Sequence, residues 1–252
     1  MTRTLGSRFL VVYSAVVTIA FMLTTYFGFV RPVHGESRIT EFDRIRAHRI
    51  DLVEPDGTVR LILSNRADYP GSFYHRKEIP RPDRSDSAGL LFINDEGTED
   101  GGLIFGGKLQ DGKPMSFSHL SFDQYDQDQT LALESFLTDG KRYSGLALND
   151  MPDFALTPTV MDEVERVKAM PHAPARAAAW AALQKKYQSF GTQRASLARD
   201  SDGSVGLILR DDQGHPRLRL TVDRSGTPSF DMLDAEGHII RHIDPTTPQS
   251  HR

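Results

Sequence analysis

Glycines recur at nearly even intervals through the C-terminal part of the chain. They stand at positions 203, 214, 226 and 237, which are 11, 12 and 11 residues apart. Glycine tolerates the positive φ of a tight hairpin turn, and an interval of this length accommodates one short strand and one turn. The spacing therefore predicts a four-stranded meander with strands at Val205–Leu209, Arg217–Val222, Pro228–Leu233 and His238–Ile243.

Alternation of residue types within these segments supports the same prediction. Leu218 and Leu220 would face one way, and Arg217 and Arg219 would face the other. A period of two residues with one charged face is typical of a half-buried antiparallel strand.

The N-terminal part shows the same pattern of short strands separated by turn residues. Its short apolar segments end in Asp-Gly or related pairs, which are strong hairpin signals. The predicted strands are Arg49–Val53, Val59–Ser64, Gly89–Ile93, Gly102–Phe105, Met115–Phe122, Thr130–Glu134 and Tyr143–Leu148. The expected fold class is mainly β, an antiparallel meander that forms a barrel, a sandwich or an extended sheet. A propeller is disfavoured because no blade period of about 40 residues recurs.

Two segments depart from the strand pattern. Asp68 to Ser87 is rich in Pro, Arg and Asp, which predicts a long exposed loop. Residues 157–191 predict a helical hairpin inserted between two blocks of strands. We expect Thr159 to cap its first helix, and Trp180, Leu183 and Tyr187 to form an apolar stripe on the second.

The opening of the chain predicts a membrane anchor. Phe9 to Val30 is a run without charge, which as a helix spans about 33 Å and matches a hydrocarbon core of about 30 Å. The alternative is a cleaved signal peptide, whose apolar region is normally shorter and ends at a small-residue site. Here Val33-His34-Gly35 is a poor cleavage site.

Basic residues flank the predicted anchor almost equally. Arg3 and Arg8 precede it, and Arg31, Arg38 and Arg44 follow it, so the positive-inside count is nearly tied. The short tail without acids favours an N-terminus inside and an extracytoplasmic C-terminal domain. The expected location is thus the plasma (inner) membrane, with a cytoplasmic domain as the alternative.

These features divide the chain into seven parts. They are an N-terminal tail (1–8), a transmembrane anchor (9–30), a juxtamembrane connector (31–48), a β-rich region (49–156), the helical hairpin insert (157–191), the C-terminal β-meander (192–244) and a tail (245–252).

Charge and cysteine content exclude several function classes. The chain has a net charge of −4 and no cysteine. Because the first 30 residues carry only Arg3 and Arg8, the remainder has a net charge of −6. Nucleic-acid binding needs a basic face, so it is not expected. Disulfides, thiolate catalysis and cysteine-based zinc sites are excluded.

Two acidic segments hold the candidate ligand- or cation-binding residues. They are Asp95, Glu96, Glu99, Asp100, Asp123, Asp126 and Asp128. Ca²⁺ favours several oxygen ligands on a flexible loop, but neither segment has the spacing of a known calcium loop. Paired carboxylates also perform acid–base chemistry in glycoside cleavage when they lie about 5 to 9 Å apart. Solvated turns are the simplest interpretation, and no catalytic residue is assigned.

Other chemical motifs have structural interpretations. Gly102 to Lys108 matches the start of a P-loop pattern, but Leu109 stands where Ser or Thr must hold Mg²⁺. The segment is better interpreted as a strand between glycines. His238 and His242 would share a strand face without an evident third metal ligand, and His119 would be a hydrogen-bonded face residue.

One region resembles a group of uncharacterised bacterial proteins. The similarity rests on the segments NDEGTEDGGLIFGG, at residues 94–107, and SFDQYDQDQ, at residues 121–129, and extends over about 49–150. The resemblance implies a β-rich structure and no particular activity.

Together these observations favour a single-pass, membrane-anchored β-domain that acts as a non-catalytic binding or scaffold module. Its expected partners are the lipid bilayer, through residues 9–30, and a protein or envelope polymer. No organic cofactor is expected, and Ca²⁺ is the one cation considered. The alternatives are a carboxylate-dependent hydrolase resembling a glycosidase and a cation-binding β-domain.

Overall fold

The computed structural model describes residues 3–26, 39–187 and 190–246. By internal contacts the chain divides into two compact units, Met1–Arg46 and Ala47–Arg252. Each unit is described by itself.

The first unit contains the apolar helix α1 (Arg3–Thr25). Its window Arg8–Thr25 has a mean hydropathy of 1.7 and is long and apolar enough to cross a membrane, a property that signal sequences share. The hydroxyls of Thr18 and Thr24 donate to backbone carbonyls four residues earlier, so neither is left unpaired in this helix. The end of the predicted anchor, residues 27–30, lies outside the described residues.

The second unit is built on one antiparallel sheet of twelve strands, which confirms the predicted fold class. Its strands are β1 (Arg49–Val53), β2 (Val59–Ser64), β5 (Ala88–Ile93), β6 (Glu99–Gln110), β7 (Lys113–Asp123), β8 (Gln129–Thr138), β9 (Lys141–Asp150), β10 (Thr192–Arg199), β11 (Val205–Arg210), β12 (Pro216–Val222), β13 (Pro228–Leu233) and β14 (Ile239–Ile243). A small hairpin, β3 (Ser72–Tyr74) and β4 (Lys77–Ile79), forms a separate two-stranded sheet.

The large sheet is an open meander. Its strands follow one another in chain order, and β1 and β14 are its two edges. Of the three architectures that the sequence left open, this is the extended sheet. Sequence reasoning missed β10, whose segment TQRASLAR alternates weakly.

Two kinds of turn connect neighbouring strands. Asp111-Gly112 and Asp139-Gly140 have positive φ at both residues, as two-residue hairpin turns of type I′ require. The other tight turns have five residues, and the first residue's N–H donates to the fifth residue's carbonyl. Turns of this kind lie at 54–58, 94–98, 124–128, 200–204, 211–215, 223–227 and 234–238.

Strand pairing aligns side chains in rows that cross the sheet on each face. On one face, every strand contributes a large apolar residue to a single row, here named the leucine row. It consists of Ile50, Leu63, Leu90, Leu103, Leu120, Leu133, Leu146, Leu197, Leu207, Leu220, Phe230 and Ile243. We call this side of the sheet the leucine face.

On the opposite side, here named the pocket face, the adjacent residue of each strand forms the inner row. It consists of Asp51, Ile62, Leu91, Gly102, Ser121, Ala132, Ala147, Ser196, Ile208, Arg219, Asp231 and His242. The row is apolar or small in the first part of the sheet and charged towards β14. The apolar and small residues lie in the part of the sheet that other segments of the chain cover.

The connection between β2 and β5 covers the pocket face and corrects one prediction. We expected Asp68 to Ser87 to be an exposed loop, but it contains β3, β4 and a short 3-10 helix at Pro82–Arg84. Phe73 packs against the buried cluster of Ile62, Leu91 and Ile93. The composition was misleading because the polar residues of this segment pair with one another and with the sheet, as Arg81 does with Asp83 at 2.8 Å.

The helical hairpin joins β9 to β10 as α2 (Pro158–Lys168) and α3 (Ala173–Tyr187). The predicted cap was wrong: Thr157, rather than Thr159, is the N-cap, and its side chain accepts from the N–H of Val160. Pro158 follows at the first helical position, where its missing N–H costs nothing. Leu183 of the predicted stripe is buried, and the Trp180 ring stacks on Phe190 at 5.5 Å.

Candidate functional site

Three connections meet at one end of the sheet. In a meander, alternate connections lie at the same end, so the turns 94–98 and 124–128 share that end with the helical insert. Hydrogen bonds join the second turn to the insert. The N–H of Leu156 donates to the Asp126 carbonyl at 2.6 Å, and Gln127 Nε2 donates to the Phe154 carbonyl at 2.7 Å.

Between these connections lies a cavity of ≈ 150 Å³ that four of the candidate carboxylates line. We name it the acidic pocket, after Glu99, Asp123, Asp126 and Asp128. The two acidic segments, about 25 residues apart along the chain, therefore converge. The remaining walls come from the β3–β4 region and the insert, and they include Ser72, Phe73, Tyr74, Arg81, Arg84, Leu156 and Met161.

Glu99 is held by an ion pair at the side of the pocket. Arg84 Nη2 donates to Glu99 Oε1 at 2.6 Å, and both side chains are mostly buried, at 14% and 17% exposed. Arg84 also donates to the Gly71 carbonyl at 3.1 Å. The pair fixes the connection between β2 and β5 against the sheet and orients one oxygen of Glu99.

Asp123 is the most perturbed titratable group of the pocket. Burial, and after it the negative charges of Glu99, Asp128 and Asp100, raise the pKa of its carboxyl to about 8, against a lowering by Arg84. A carboxyl in such a site is largely protonated at neutral pH. It would lose its proton when a positive charge arrives nearby.

Asp126 has a left-handed backbone conformation in its turn. The five-residue turns generally place glycine at the fourth position, but the turn 124–128 has Gln127 there, and Asp126 instead has a φ of 50°. His75, whose φ is 46°, lies 3.5 Å from Asp126 through its Nε2. Asp111 and Asp139 have the same left-handed conformation in the two-residue turns, so the φ of Asp126 is a property of the turn, and its place in the pocket rests on its burial and contacts.

Several acceptor atoms of the pocket are buried and lack a hydrogen-bond partner among the described residues. They are Glu99 Oε2, Asp123 Oδ1, Asp126 Oδ1 and Ser72 Oγ. The Asp126 side chain is only 10% exposed. Buried polar atoms are normally paired, because an unpaired one costs about 1–3 kcal/mol. Their concentration around one cavity indicates that the pocket can accept a donor that the protein itself does not supply.

The other predicted residues lie around this pocket rather than in its lining. Asp95 is exposed and pairs with Arg60. Glu96 accepts from the Tyr125 hydroxyl. Burial raises the pKa of Asp100, against a smaller lowering by the charge of Arg60. Asp95 and Glu96 therefore have ordinary pairing partners at the rim of the pocket.

Sequence reasoning missed the residues that other segments bring to the pocket. Arg81, Arg84 and Tyr74 come from the connection between β2 and β5, Leu156 immediately precedes the insert, and Met161 belongs to it. These residues lie too far along the chain from the two acidic segments for a local sequence pattern to connect them. The one available hint was the unusual density of arginine and proline between residues 76 and 84.

An apolar groove adjoins the acidic pocket. It has a volume of ≈ 330 Å³ and shares Arg81, Gln127 and Asp128 with the pocket. Its own walls include Trp180 and Phe190 of the insert region. The site thus combines an acidic end with an apolar extension.

The acidic pocket does not have the geometry of a preformed metal site. Among the described residues, the group whose ligand atoms lie within 4.8 Å of one another is Asp234, Glu236 and His238. That group occupies an exposed five-residue turn, where Asp234 Oδ1 accepts from the N–H of His238 at 2.7 Å. Its closeness follows from the turn itself.

His119 and His242, the other histidines considered in the sequence analysis, are also paired. His119 Nδ1 lies 3.2 Å from Glu134 Oε1 across two strands, as expected for a hydrogen-bonded face residue. His242 Nδ1 lies 2.6 Å from Asp231 Oδ1, and this contact raises the pKa of His242. The segment that resembles a P-loop lies within strand β6.

Comparison with known proteins leaves the chain without a family assignment. No protein-family model matches it, and no curated protein matches it with significant similarity. The fold and the geometry of the acidic pocket therefore carry the functional argument alone.

Proposed function

We propose that this protein is a tethered, non-catalytic binding module whose acidic pocket takes a cationic side chain or amine from a protein or an envelope polymer. The observation that carries the proposal is the set of buried, unpaired oxygens of Glu99, Asp123 and Asp126 around one cavity. A primary ammonium offers three donors, and a guanidinium offers five.

The lining favours an organic cation over a metal ion. Tyr74, Leu156 and Met161 line the pocket beside the carboxylates, so an alkyl stem would contact apolar groups while its charged end reaches the acids. The adjoining groove with Trp180 and Phe190 would take the neighbouring apolar part of the partner. A volume of ≈ 150 Å³ suits one side chain of this kind.

Binding of a lysine peptide to the full chain tests the proposal. The probe is acetyl-Ala-Lys-Ala-amide, and the matched peptide has Gln in place of Lys. We expect saturable binding of the lysine peptide, weakened at least about tenfold by Asp126→Asn. The control variant is Glu236→Gln, since Glu236 holds the third position of an equivalent but exposed turn.

Two results would overturn this function. One is equal binding of the lysine and glutamine peptides. The other is a rise in melting temperature with Ca²⁺ that EDTA reverses and Asp126→Asn removes, because it would make the pocket a metal site.

A carboxylate-dependent hydrolase is the second candidate, favoured by the same convergence. Asp123, with its pKa raised to about 8, has the protonation state of a general acid at neutral pH. Glu99 or Asp128 would then act as its partner. Turnover of a glycoside substrate that Asp123→Asn abolishes, with binding of the lysine peptide absent, would select this candidate over the binding module.

The tether is part of the same proposal. The length and apolar character of α1 support an uncleaved anchor, and the short N-terminal tail without acids supports the inner membrane with the sheet outside the cytoplasm. Fractionation of cells that express the full chain tests the anchor, and protease access to intact spheroplasts tests the orientation. Recovery of a soluble form that begins near residue 36 would replace the anchor with a cleaved signal peptide.

A further inference from the structure

The leucine face is apolar and exposed. Leu63, Leu133, Leu148, Leu197, Leu209 and Leu220 are between 38% and 52% exposed. The connection that buries Ile62 and Leu91 lies on the opposite side of the sheet. A soluble monomer rarely exposes a continuous apolar patch larger than about 300–600 Å².

Charge is sparse on this surface. The leucine row contains no charged residue. Of its two neighbouring rows on the same face, the one from Leu52 to Arg241 has only Arg241, and the one from Ala88 to Pro228 has only Arg199, with Arg142 one row further out. The chain is acidic overall, with a net charge of −4. Peripheral binding to an anionic lipid surface relies on basic residues around the apolar patch, so the charge balance disfavours a lipid occupant.

We propose that the leucine face binds the leucine face of a second copy of this chain. Two sheets pack face to face at about 10 Å when both inner surfaces are apolar and share the same twist. A second copy meets both conditions, and a two-fold axis would match each row with itself. This inference is independent of the ligand of the acidic pocket, which lies beyond the opposite face.

The available area is sufficient for a stable dimer. Half-exposed leucines contribute about 80 Å² each, so the two rows together offer on the order of 800 Å² or more per copy. A standard specific interface buries about 800 Å² per partner. Because the two acidic copies would repel each other elsewhere, the sparsely charged leucine face is the surface where association costs least.

Single-cysteine cross-linking of the full chain in cells tests this interface. The chain has no cysteine of its own, so each introduced thiol reports one position. Leu133→Cys lies near the middle of the leucine row, and Glu134→Cys is the matched control because the adjacent residue faces the other way. Under mild oxidation we expect Leu133→Cys to form a disulfide-linked dimer at least about tenfold faster than Glu134→Cys.

A second variant separates the interface from dimerisation through α1. Leu197→Asp, combined with Leu133→Cys, places a charge within the face and should reduce the cross-linking rate at least about tenfold, while circular dichroism confirms the strand content. Equal rates at Leu133→Cys and Glu134→Cys would overturn the proposal. So would an unchanged rate with Leu197→Asp, or reaction of the Leu133→Cys thiol with a lipid-embedded reagent in place of a second copy.

Discussion

The two halves of the pocket face differ although one sheet builds both. In the first half, the connection between β2 and β5 covers the strands, and Ile62 of the inner row is 0% exposed. In the second half, β10 to β14 are joined by tight turns alone, and Ile208 of the same row is only partly buried. The difference shows that the meander supplies a half-buried platform, and that insertions between its strands create the core and the pocket.

The turns of the two halves show the same contrast in their electrostatics. Asp223 begins an exposed turn, and its pKa is lowered because Ser225 Oγ and the N–H of Thr227 donate to its carboxylate. Asp123 precedes the enclosed turn 124–128, and burial raises its pKa to about 8. Similar hairpins thus stabilise a charged carboxylate where they are open and a neutral one where the insert encloses them.

The largest expected difference between the halves is in packing. Ile62→Ala should lower the free energy of unfolding by about 4 kcal/mol, because it leaves a cavity in a closed cluster. Ile208→Ala, on the same row, should cost only about 1–2 kcal/mol, because its side chain already contacts solvent. Urea denaturation of both variants measures the difference. Equal losses would mean that the connection does not stabilise the first half.

A smaller difference is expected at equivalent turn glycines. Gly97 has a φ of +81°, and an added Cβ would lie 2.8 Å from the backbone nitrogen of Arg76. Gly226 has a φ of +90° with nothing within 4 Å. Gly97→Ala should therefore cost about 3 kcal/mol, and Gly226→Ala about 1 kcal/mol for the backbone conformation alone. Thermal unfolding distinguishes the two variants. A similar loss of stability in both would contradict the close approach of the β3–β4 turn to Gly97.

A further difference between the halves is the pH dependence that Asp123 imposes. Because its pKa is higher in the folded protein than in the unfolded chain, its ionisation opposes folding, and stability falls as the pH rises from about 4 to about 8. Asp123→Asn should remove this fall. Asp223→Asn should act in the opposite sense, since the lowered pKa of Asp223 contributes stability that is lost as the pH falls through that pKa. Denaturation curves from about pH 2 to about pH 8 test both signs, because the Asp223 effect lies below about pH 4 and the Asp123 effect above it.

The two halves also differ in how much of their structure the sequence predicted. The C-terminal meander was predicted nearly strand by strand, because its turn glycines and alternating residues are local signals. The acidic residues of the pocket were identified, but their convergence was not, because it depends on which connections share one end of the sheet. The prediction of an exposed loop at residues 68–87 was wrong because composition cannot show that its charged residues pair. The cap at Thr157 was missed because the prediction did not use Pro158 as the first helical residue.

The carboxyl titration of Asp123 tests the account most directly. Carbon-detected nuclear magnetic resonance of the full chain, with Asp123→Asn to assign the signal, gives its midpoint with and without acetyl-Ala-Lys-Ala-amide. An enclosed pocket that receives a cation predicts a midpoint near pH 8 that falls by at least about one unit when the peptide binds. A midpoint near the ordinary value of about 4, unchanged by the peptide, would contradict it.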